Sequence, residues 1–268
     1  MNTAHYIPKT KQLQDVFRSI WQVNGFRPYQ TETIIPKGVV EIIFDLSEDV
    51  PVQSIIDNKR NQLAKCFING FNTYPIELQL PEQQFFFGVQ FHPSAIKHVL
   101  GVPSSEFTNR TIDLTLLSQS FHSLWQQLAE VKTFDERVII ISQWIERKII
   151  QPHPQEILLN AFLDDNNTHN LTIKELANKI YYSPRHLSRK ISELTGMNAE
   201  QFLLYKKYLH SVHLIHTTNL SLTDITYHSN FADQSHFIKS FKAFAQITPN
   251  DYRQTKSFVP GHILKNVR

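Results

Sequence analysis

The spacing of hydrophobic and polar residues changes near residue 114, and the change predicts two kinds of structure in one chain. Before it, short runs alternate, as in TETIIPKGVVEIIFDL (31–46), PIELQL (75–80) and QQFFFGVQF (83–91). Such runs, rich in Ile, Val and Phe and separated by Pro and Gly, predict β-strands. After it, apolar residues recur every three or four positions, which predicts helices.

The first long helix is predicted over TFDERVIIISQWIERKII (133–150). Thr133 and Glu136 have the spacing of a capping box, and apolar residues from Phe134 to Ile149 form one stripe. The helix is interpreted either as an ordinary packed helix or as a dimerisation helix. QPHP (151–154) ends it. We therefore predict an N-terminal domain over 1–150, a helical domain over 151–256 and a tail over 257–268.

The helical part contains a repeat. SPRHLSRKISELTG (183–196) matches DQSHFIKSFKAFAQ (233–246) at an offset of fifty residues, and the segments before them match at forty-nine. The additional residue falls in the second of two equivalent turns. Each copy is therefore predicted to be a helix, a tight turn and a second helix.

Local capping signals agree with these boundaries. Ser183 and Asp233 are expected to cap the second helix of each copy, and Gly196 follows the end of the first of these helices. Asn230 occupies the turn of copy two, where a positive φ is tolerated. Tyr181 holds the equivalent place in copy one, so that turn is expected to be strained or slightly different.

A helical projection gives both second helices the same two faces. Leu187, Ile191 and Leu194 cluster on one side in copy one, and three phenylalanines (237, 241 and 244) do so in copy two. Long cations and small polar groups lie on the opposite side. These outward residues are Arg185, Ser188, Arg189 and Ser192 in the first copy, and Ser235, Lys239 and Lys242 in the second.

This arrangement favours DNA binding. An α-helix fits the major groove, where Arg and Lys bind guanine O6 and N7 and other polar groups bind phosphates. The second helices of the two copies are called the reading helices, because they would contact the bases. Residues 198–219 are predicted to form a spacer helix that holds the two reading helices about 34 Å apart. On this helix we expect Lys206 to face a phosphate, and histidines 210, 213 and 216 to lie partly exposed near phosphates rather than bind a metal.

Charge is unevenly distributed between the two parts of the chain. Residues 171–268 carry 13 basic and 6 acidic side chains, a net charge of +7, whereas residues 1–170 carry −4. Such asymmetry favours a basic module that binds a polyanion. Cys66 is the single cysteine, which excludes internal disulfides and is typical of a reducing compartment, the cytoplasm. We expect no signal peptide and no membrane span.

LTIKELANKIYYSPRHLSRKISELTG (171–196) and FADQSHFIKSFKAFAQITPNDYR (231–253) resemble the C-terminal DNA-binding domain of the AraC/XylS family of bacterial transcription regulators. The resemblance implies two helix-turn-helix units joined by a long helix, in a chain that usually dimerises and activates transcription by contacting RNA polymerase. It places base contacts on Arg185, Ser188, Arg189, Gln234, Ser235, Ile238 and Lys239.

IIPKGVVEIIFDL (34–46) and GVQFHPSAIKHVLGVPSSEFTNRTIDL (88–114) are similar to a sensor domain of one AraC subgroup. The similarity implies a cupin-like β-barrel with appended helices, and hence an α+β fold overall. No His-x-His cluster with a carboxylate occurs, so we expect no metal and no cofactor. The residues predicted to line an effector pocket are Trp21, Phe44, Phe67, Phe87 and Phe91.

The sequence thus predicts a bacterial, cytoplasmic, homodimeric transcription activator that binds double-stranded DNA and senses a small molecule, and is not an enzyme. Two alternatives stay open. One is a cupin-type enzyme fused to a DNA-binding tail. The other is a ligand-independent regulator whose N-terminal domain only dimerises.

Overall fold

A computed structural model describes residues 2–26, 29–47, 52–150 and 152–266. The fold is α+β, as predicted: eleven strands within these residues form two antiparallel sheets, and the chain from residue 114 onward is mainly helical. The predicted domain boundary at 150 and 151 falls partly outside the described residues, because residue 151 is not among them.

The six-stranded sheet has the strand order β1-β2-β9-β4-β7-β10, and every pair of neighbours is antiparallel. Its strands are β1 (Asn2–Tyr6), β2 (Phe17–Phe26), β4 (Val40–Asp45), β7 (Cys66–Asn69), β9 (Gln83–Phe91) and β10 (Thr111–Asp113).

The five-stranded sheet has the order β11-β3-β8-β5-β6, and it takes its edge strand from the end of the chain. Its strands are β3 (Tyr29–Ile34), β5 (Gln53–Ile56), β6 (Lys59–Gln62), β8 (Ile76–Gln79) and β11 (His262–Asn266). The segment separated as a tail in the sequence therefore continues the N-terminal β-structure, since β11 pairs with β3.

Helices pack on the face of the six-stranded sheet that points away from the five-stranded sheet, and they make up most of the chain from residue 114 onward. They are α1 (Lys11–Gln14), α2 (Pro93–Leu100), α3 (Ser120–Glu130), α4 (Phe134–Lys148), α5 (Pro154–Asp164), α6 (Ile173–Lys179), α7 (Pro184–Thr195), α8 (Ala199–Thr217), α9 (Leu222–His228), α10 (Gln234–Ala245) and α11 (Pro249–Thr255). Short 3-10 helices span Ser104–Phe107, Leu114–Leu116 and Asn166–Asn170. Within the described residues, no helix combines the length and apolar character needed to cross a bilayer.

Alternation along the strands decides where the main core lies. In β4 and β9, every second side chain points away from the five-stranded sheet and packs under the helices. Phe44 contacts Phe87 at 6.2 Å between ring centroids, and Phe87 contacts Phe134 of α4 at the same distance. The predicted capping box of Thr133 and Glu136 starts α4. The helical domain joins the same core, because buried residues from α2 to α11 form one continuous cluster with the strands.

Candidate nucleic-acid interface

The first helix-turn-helix unit consists of α6, the turn at residues 180–183 and α7. The Ser183 hydroxyl accepts a hydrogen bond from the backbone N–H of His186 at 3.2 Å. Gly196 ends α7 with a φ of +73°, and its N–H bonds the carbonyl of Ser192. Both predicted caps are therefore confirmed, and they fix the length of the helix.

The two faces of α7 separate as the projection predicts. Leu187 and Ile191 are fully buried, and Leu194 is nearly so. Arg185, Arg189 and Ser192 are exposed. Because its opposite face is anchored in the core, α7 presents these polar groups on a rigid surface.

Two of the predicted contact residues in α7 already have intrahelical partners. Ser188 is half-buried, and its hydroxyl donates to the Pro184 carbonyl at 2.9 Å. The Arg189 Nε lies 3.7 Å from the Glu193 carboxylate, but the Arg189 side chain is largely exposed and that of Glu193 partly so. An exposed pair of this kind contributes little to stability, so the guanidinium stays available to a ligand.

The second unit repeats this arrangement in α9 and α10. The Asp233 carboxylate accepts from the His236 N–H at 2.7 Å, and Phe237 and Phe241 are fully buried. Ile238 is half-buried against the core, so packing uses part of its side chain. The remaining predicted contact residues, Gln234, Ser235, Lys239 and Lys242, are exposed.

The two turns use the same unusual backbone conformation. Asn230 has a φ of +56° and Tyr181 a φ of +59°. Asn tolerates this region, whereas a bulky side chain is strained there. Tyr181 is also 82% exposed, so side-chain packing does not offset the strain. The strained turn that the sequence predicts in copy one is confirmed.

Replacing Tyr181 by glycine is therefore expected to stabilise the fold by about 0.5–1 kcal/mol, since glycine adopts a positive φ without a steric cost. Thermal unfolding monitored by circular dichroism would measure the change. Tyr227 provides the matched control because it is also highly exposed but lies within α9. Tyr227→Gly should destabilise by about 0.5–1 kcal/mol. If both substitutions changed the stability in the same direction, that result would contradict backbone strain at Tyr181.

The spacer helix α8 is confirmed, and it is buried more completely than one apolar stripe predicts. Asn198 and Gln201 form a capping box at its start. Tyr205 and Tyr208 are both fully buried. The Tyr205 hydroxyl donates to the Asn72 carbonyl at 3.0 Å, and the Tyr208 hydroxyl donates to the Pro36 carbonyl at 3.2 Å. The helix that joins the two units is thus fixed to the N-terminal sheets.

The prediction that Lys206 faces a phosphate is wrong. Its side chain is only 1% exposed, and its ammonium donates to the carbonyls of Phe162, Leu163 and Asp165 at 2.8–3.1 Å. These carbonyls end α5, where a cation is favourable. Burial lowers the pKa of Lys206 to about 8, although Asp164 and Asp165 partly offset it. Lys206 is a buried helix cap.

The expectation for the three histidines of α8 also needs correction. His210 is buried and stacks on His169 with ring centroids 3.7 Å apart. Burial and the neighbouring His169 lower the pKa of His210 to about 4. His216 bonds the Tyr252 hydroxyl, and His213 alone of the three is exposed. Among the described residues, no group of three His, Cys, Asp or Glu could hold a metal ion.

A cavity of about 480 Å³ lies between the two sheets, and only two of the five residues predicted to line an effector pocket line it. Trp21 and Phe67 line it. Phe44, Phe87 and Phe91 do not, because they occupy the alternate strand positions and are fully buried beneath the helices. That part of the pocket prediction is wrong, since it took the wrong face of β4 and β9.

Sequence reasoning missed the polar residues of the cavity. The inward positions of β4 and β9 carry Glu41, Gln84 and Gln90, while the β3–β4 turn adds Lys37 and the C-terminal strand adds His262. Polar residues at alternate positions of otherwise apolar strands were the available signal. No local sequence pattern could place His262 in the cavity, because its partner Glu32 lies 230 residues away along the chain.

Comparisons with known proteins find two family models and a structural neighbour. Residues 176–255 match a family model described as a helix-turn-helix domain, and residues 5–113 match one described as a domain of unknown function (DUF6597). The alignment with the crystal structure of ToxT from Vibrio cholerae covers 90% of this chain and 97% of the ToxT chain, with 13% sequence identity and a TM-score of 0.49.

Two curated relatives are similar in sequence. The uncharacterized HTH-type transcriptional regulator YtdP of Bacillus subtilis is 24% identical over 69% of this chain. The HTH-type transcriptional activator RhaS of Escherichia coli is 31% identical over 36% of this chain. The matched regions span 23% of YtdP and 35% of RhaS.

Proposed function

Because the chain carries an AraC-type helix-turn-helix domain at its C-terminus, we propose that it is a transcription regulator that reads two successive major grooves of double-stranded DNA with α7 and α10. The observation that carries the proposal is the matched pair of helices, each capped, anchored by a buried face and exposing arginines, lysines and hydroxyls on the other. Selection of bound sites from random DNA tests it, and the absence of any enriched sequence would refute it.

The proposed roles follow from side-chain chemistry. Arg185, Arg189 and Lys239 bind guanine edges, and Gln234 binds adenine. Ser188 and Ile238 fit small or methyl-bearing positions. Hydroxyls and lysines at the helix margins bind phosphates and set the register. The residues assigned to phosphates are Ser192 and Lys242, whereas Ser235 keeps the base contact that the AraC resemblance gives it.

The N-terminal sheets supply the sensing part of the proposal. A cavity of about 480 Å³ falls in the size range of small-molecule sites and combines apolar walls with a few polar groups. We further propose that the regulator acts as a homodimer in the bacterial cytoplasm and activates transcription by contacting RNA polymerase. These finer statements are supported by the AraC resemblance. The proposed role is regulatory rather than catalytic.

Lys242 gives a test of the phosphate contacts. Lys242→Ala is expected to weaken binding to every DNA sequence alike, and to flatten the plot of log affinity against log salt by about 1, because one fewer cation displaces counterions. Fluorescence anisotropy at several salt concentrations would measure both. Lys97, exposed on α2, provides the control, and its alanine variant should leave the slope unchanged. A sequence-selective loss for Lys242→Ala would contradict the assignment.

A further inference from the structure

The cavity between the sheets has one apolar end and one charged end. Eight aliphatic or aromatic side chains form the apolar part, and Glu32 borders it because Glu32 and Leu78 are directly paired across β3 and β8. The eight side chains are Ile43, Val52, Leu63, Phe67, Ile76, Leu78, Leu80 and Phe86. The opposite end carries Glu32, Lys37, Glu41 and His262. A ligand that fills the cavity must therefore join an apolar body to a polar group.

Glu41 is held at the centre of the charged end by two donors. Its Oε1 accepts from the Trp21 indole N–H at 3.1 Å and from the Gln90 amide at 2.9 Å. Trp21 reaches this position because residue 88 of the neighbouring strand is glycine; a Cβ there would lie 2.3 Å from the indole ring. A glycine inside a central strand marks such a close approach.

The second oxygen of Glu41 retains acceptor capacity. Lys37 approaches Oε2 only to 3.7 Å, which is longer than a hydrogen bond. Burial raises the pKa of Glu41, but Lys37, Gln90, His262 and Trp21 outweigh it, so the pKa is lowered and the carboxyl is ionised at neutral pH. An ionised carboxylate accepts about four hydrogen bonds, and the described residues supply two. An additional donor therefore fits at Oε2.

The charges around the site favour a cationic donor. Glu32 and Glu41 are both buried, and Lys37 is the permanent cation beside them. Burial and Lys37 lower the pKa of His262, although Glu32 and Glu41 partly offset this effect, so at neutral pH the neutral ring is favoured over the charged one. An anionic ligand group would lie next to two carboxylates, whereas an ammonium group would gain from both.

We propose that this cavity binds a small molecule with an apolar body and a positively charged nitrogen that donates to Glu41, and that Lys37 and His262 transmit its presence to the DNA-binding domain. The regulatory half of the inference rests on the function proposed above. The ligand-binding half stands on the cavity alone.

Lys37 connects the cavity to the spacer helix. It lies in the loop 35–39 between β3 and β4, and its neighbours Pro36 and Gly38 contact α8. The Pro36 carbonyl accepts from the Tyr208 hydroxyl at 3.2 Å, and a Cβ on Gly38 would lie 2.8 Å from Leu209. A ligand cation that takes over the Lys37 position beside Glu41 therefore acts on a loop that is packed directly against α8.

His262 connects the same cluster to α11, which packs against α10 through Tyr252 and Phe241. Its Nδ1 lies 2.8 Å from Glu32, and its Nε2 lies 3.3 Å from the Lys37 ammonium. The adjacent Gly261 N–H donates to the Tyr252 hydroxyl of α11 at 2.9 Å. The charged end of the cavity thus contacts the elements that hold both reading helices.

Three probes with a shared apolar body test the ligand class: the amine 2-(1-naphthyl)ethylamine, the alcohol 1-naphthaleneethanol and the acid 1-naphthaleneacetic acid. Isothermal titration calorimetry with the full chain at pH 7.5 is expected to show the amine binding at least tenfold more tightly than the acid, with the alcohol between them. Glu41→Gln should remove the preference for the amine and retain the alcohol. Val52→Phe, at the apolar end, should weaken all three probes alike.

The ligand class is overturned by three results: no probe binds the wild-type chain, the acid binds as tightly as the amine, or a folded Glu41→Gln variant keeps the preference. If Glu41→Gln fails to fold, the order of the three probes on the wild-type chain still decides.

Transmission is tested on DNA. With a site selected by the wild-type chain, saturating amine is expected to change DNA affinity at least threefold. Lys37→Met, which removes the same Lys37–Glu41 contact, should shift the affinity measured without amine in the same direction and abolish the response to amine. Unchanged affinity in the wild type would overturn the transmission. Failure to bind any DNA without amine would instead refute the proposed function, so the two failures are distinct.

Discussion

Replacement of Arg189 by alanine is expected to weaken binding to a selected DNA site by about 1–3 kcal/mol, roughly 5- to 150-fold, and to relax the base preference at one position. Arg189 is exposed on α7, and its Glu193 contact is too weak to hold it away from DNA. The fold should be unaffected, because the buried face of α7 is unchanged.

Quantitative binding to a set of single-base variants of the selected site would measure this effect. Arg147, exposed on α4, provides the control, and Arg147→Ala should leave affinity and preference unchanged. Arg189→Lys should recover part of the affinity but little of the preference, because an ammonium cannot reproduce the bidentate contact. An Arg189→Ala variant that kept both affinity and preference would show that α7 does not read bases.

The second large effect is on stability. Lys206→Met is expected to lower the free energy of unfolding by about 2–4 kcal/mol, because methionine keeps the apolar stem but removes the buried ammonium that bonds three carbonyls at the end of α5. The carbonyls of Phe162 and Leu163 lose their ammonium partner at the end of α5. Chemical denaturation would measure the loss. The DNA salt slope of the folded variant should be unchanged, in contrast to Lys242→Ala.

The pH dependence gives this prediction a sign. The pKa of Lys206 is about 8 in the folded chain and has its ordinary value near 10.5 when exposed. Between these values the unfolded chain binds more protons, so the contribution of Lys206 to stability rises with pH. The stability difference between wild type and Lys206→Met should therefore widen from pH 8 to pH 10. A difference that narrows would contradict burial of the ammonium.

The helical half of the structure could be predicted because its signals are local. Ser183 and Asp233 start their helices by bonding an N–H three residues onward, so sequence spacing alone identifies them. The same holds for the positive φ at Asn230, which follows from its place in the turn. The duplication supplied a second copy of each signal, and with it the two faces of α7 and α10.

The burial of α8 could not be read in this way. Its contacts come from distant parts of the chain: Tyr208 bonds a carbonyl 172 residues away, and Lys206 bonds carbonyls more than 40 residues away. A helix enclosed on several sides shows no simple stripe, so a lysine in it looks like a solvent-facing residue. Its true environment depends on where α5 ends in space.

The cavity was predicted only in part for a related reason. The central part of β9, residues 85–89, has no polar side chain, so periodicity within it could not decide which face turns inward, and phenylalanines 87 and 91 were placed on the wrong side. The closing strand β11 joins β3 across more than 220 residues. Pairing over that distance leaves no local trace in the sequence.

The central claim is that α7 and α10 read two grooves on one duplex. Hydroxyl-radical footprinting of one protomer on its selected site, with wild type, Arg189→Ala and Lys239→Ala, tests it most directly. The account predicts two protected segments with centres about 10 base pairs apart, of which Arg189→Ala weakens one and Lys239→Ala the other. A single protected segment, or equal loss of both segments in each variant, would contradict it.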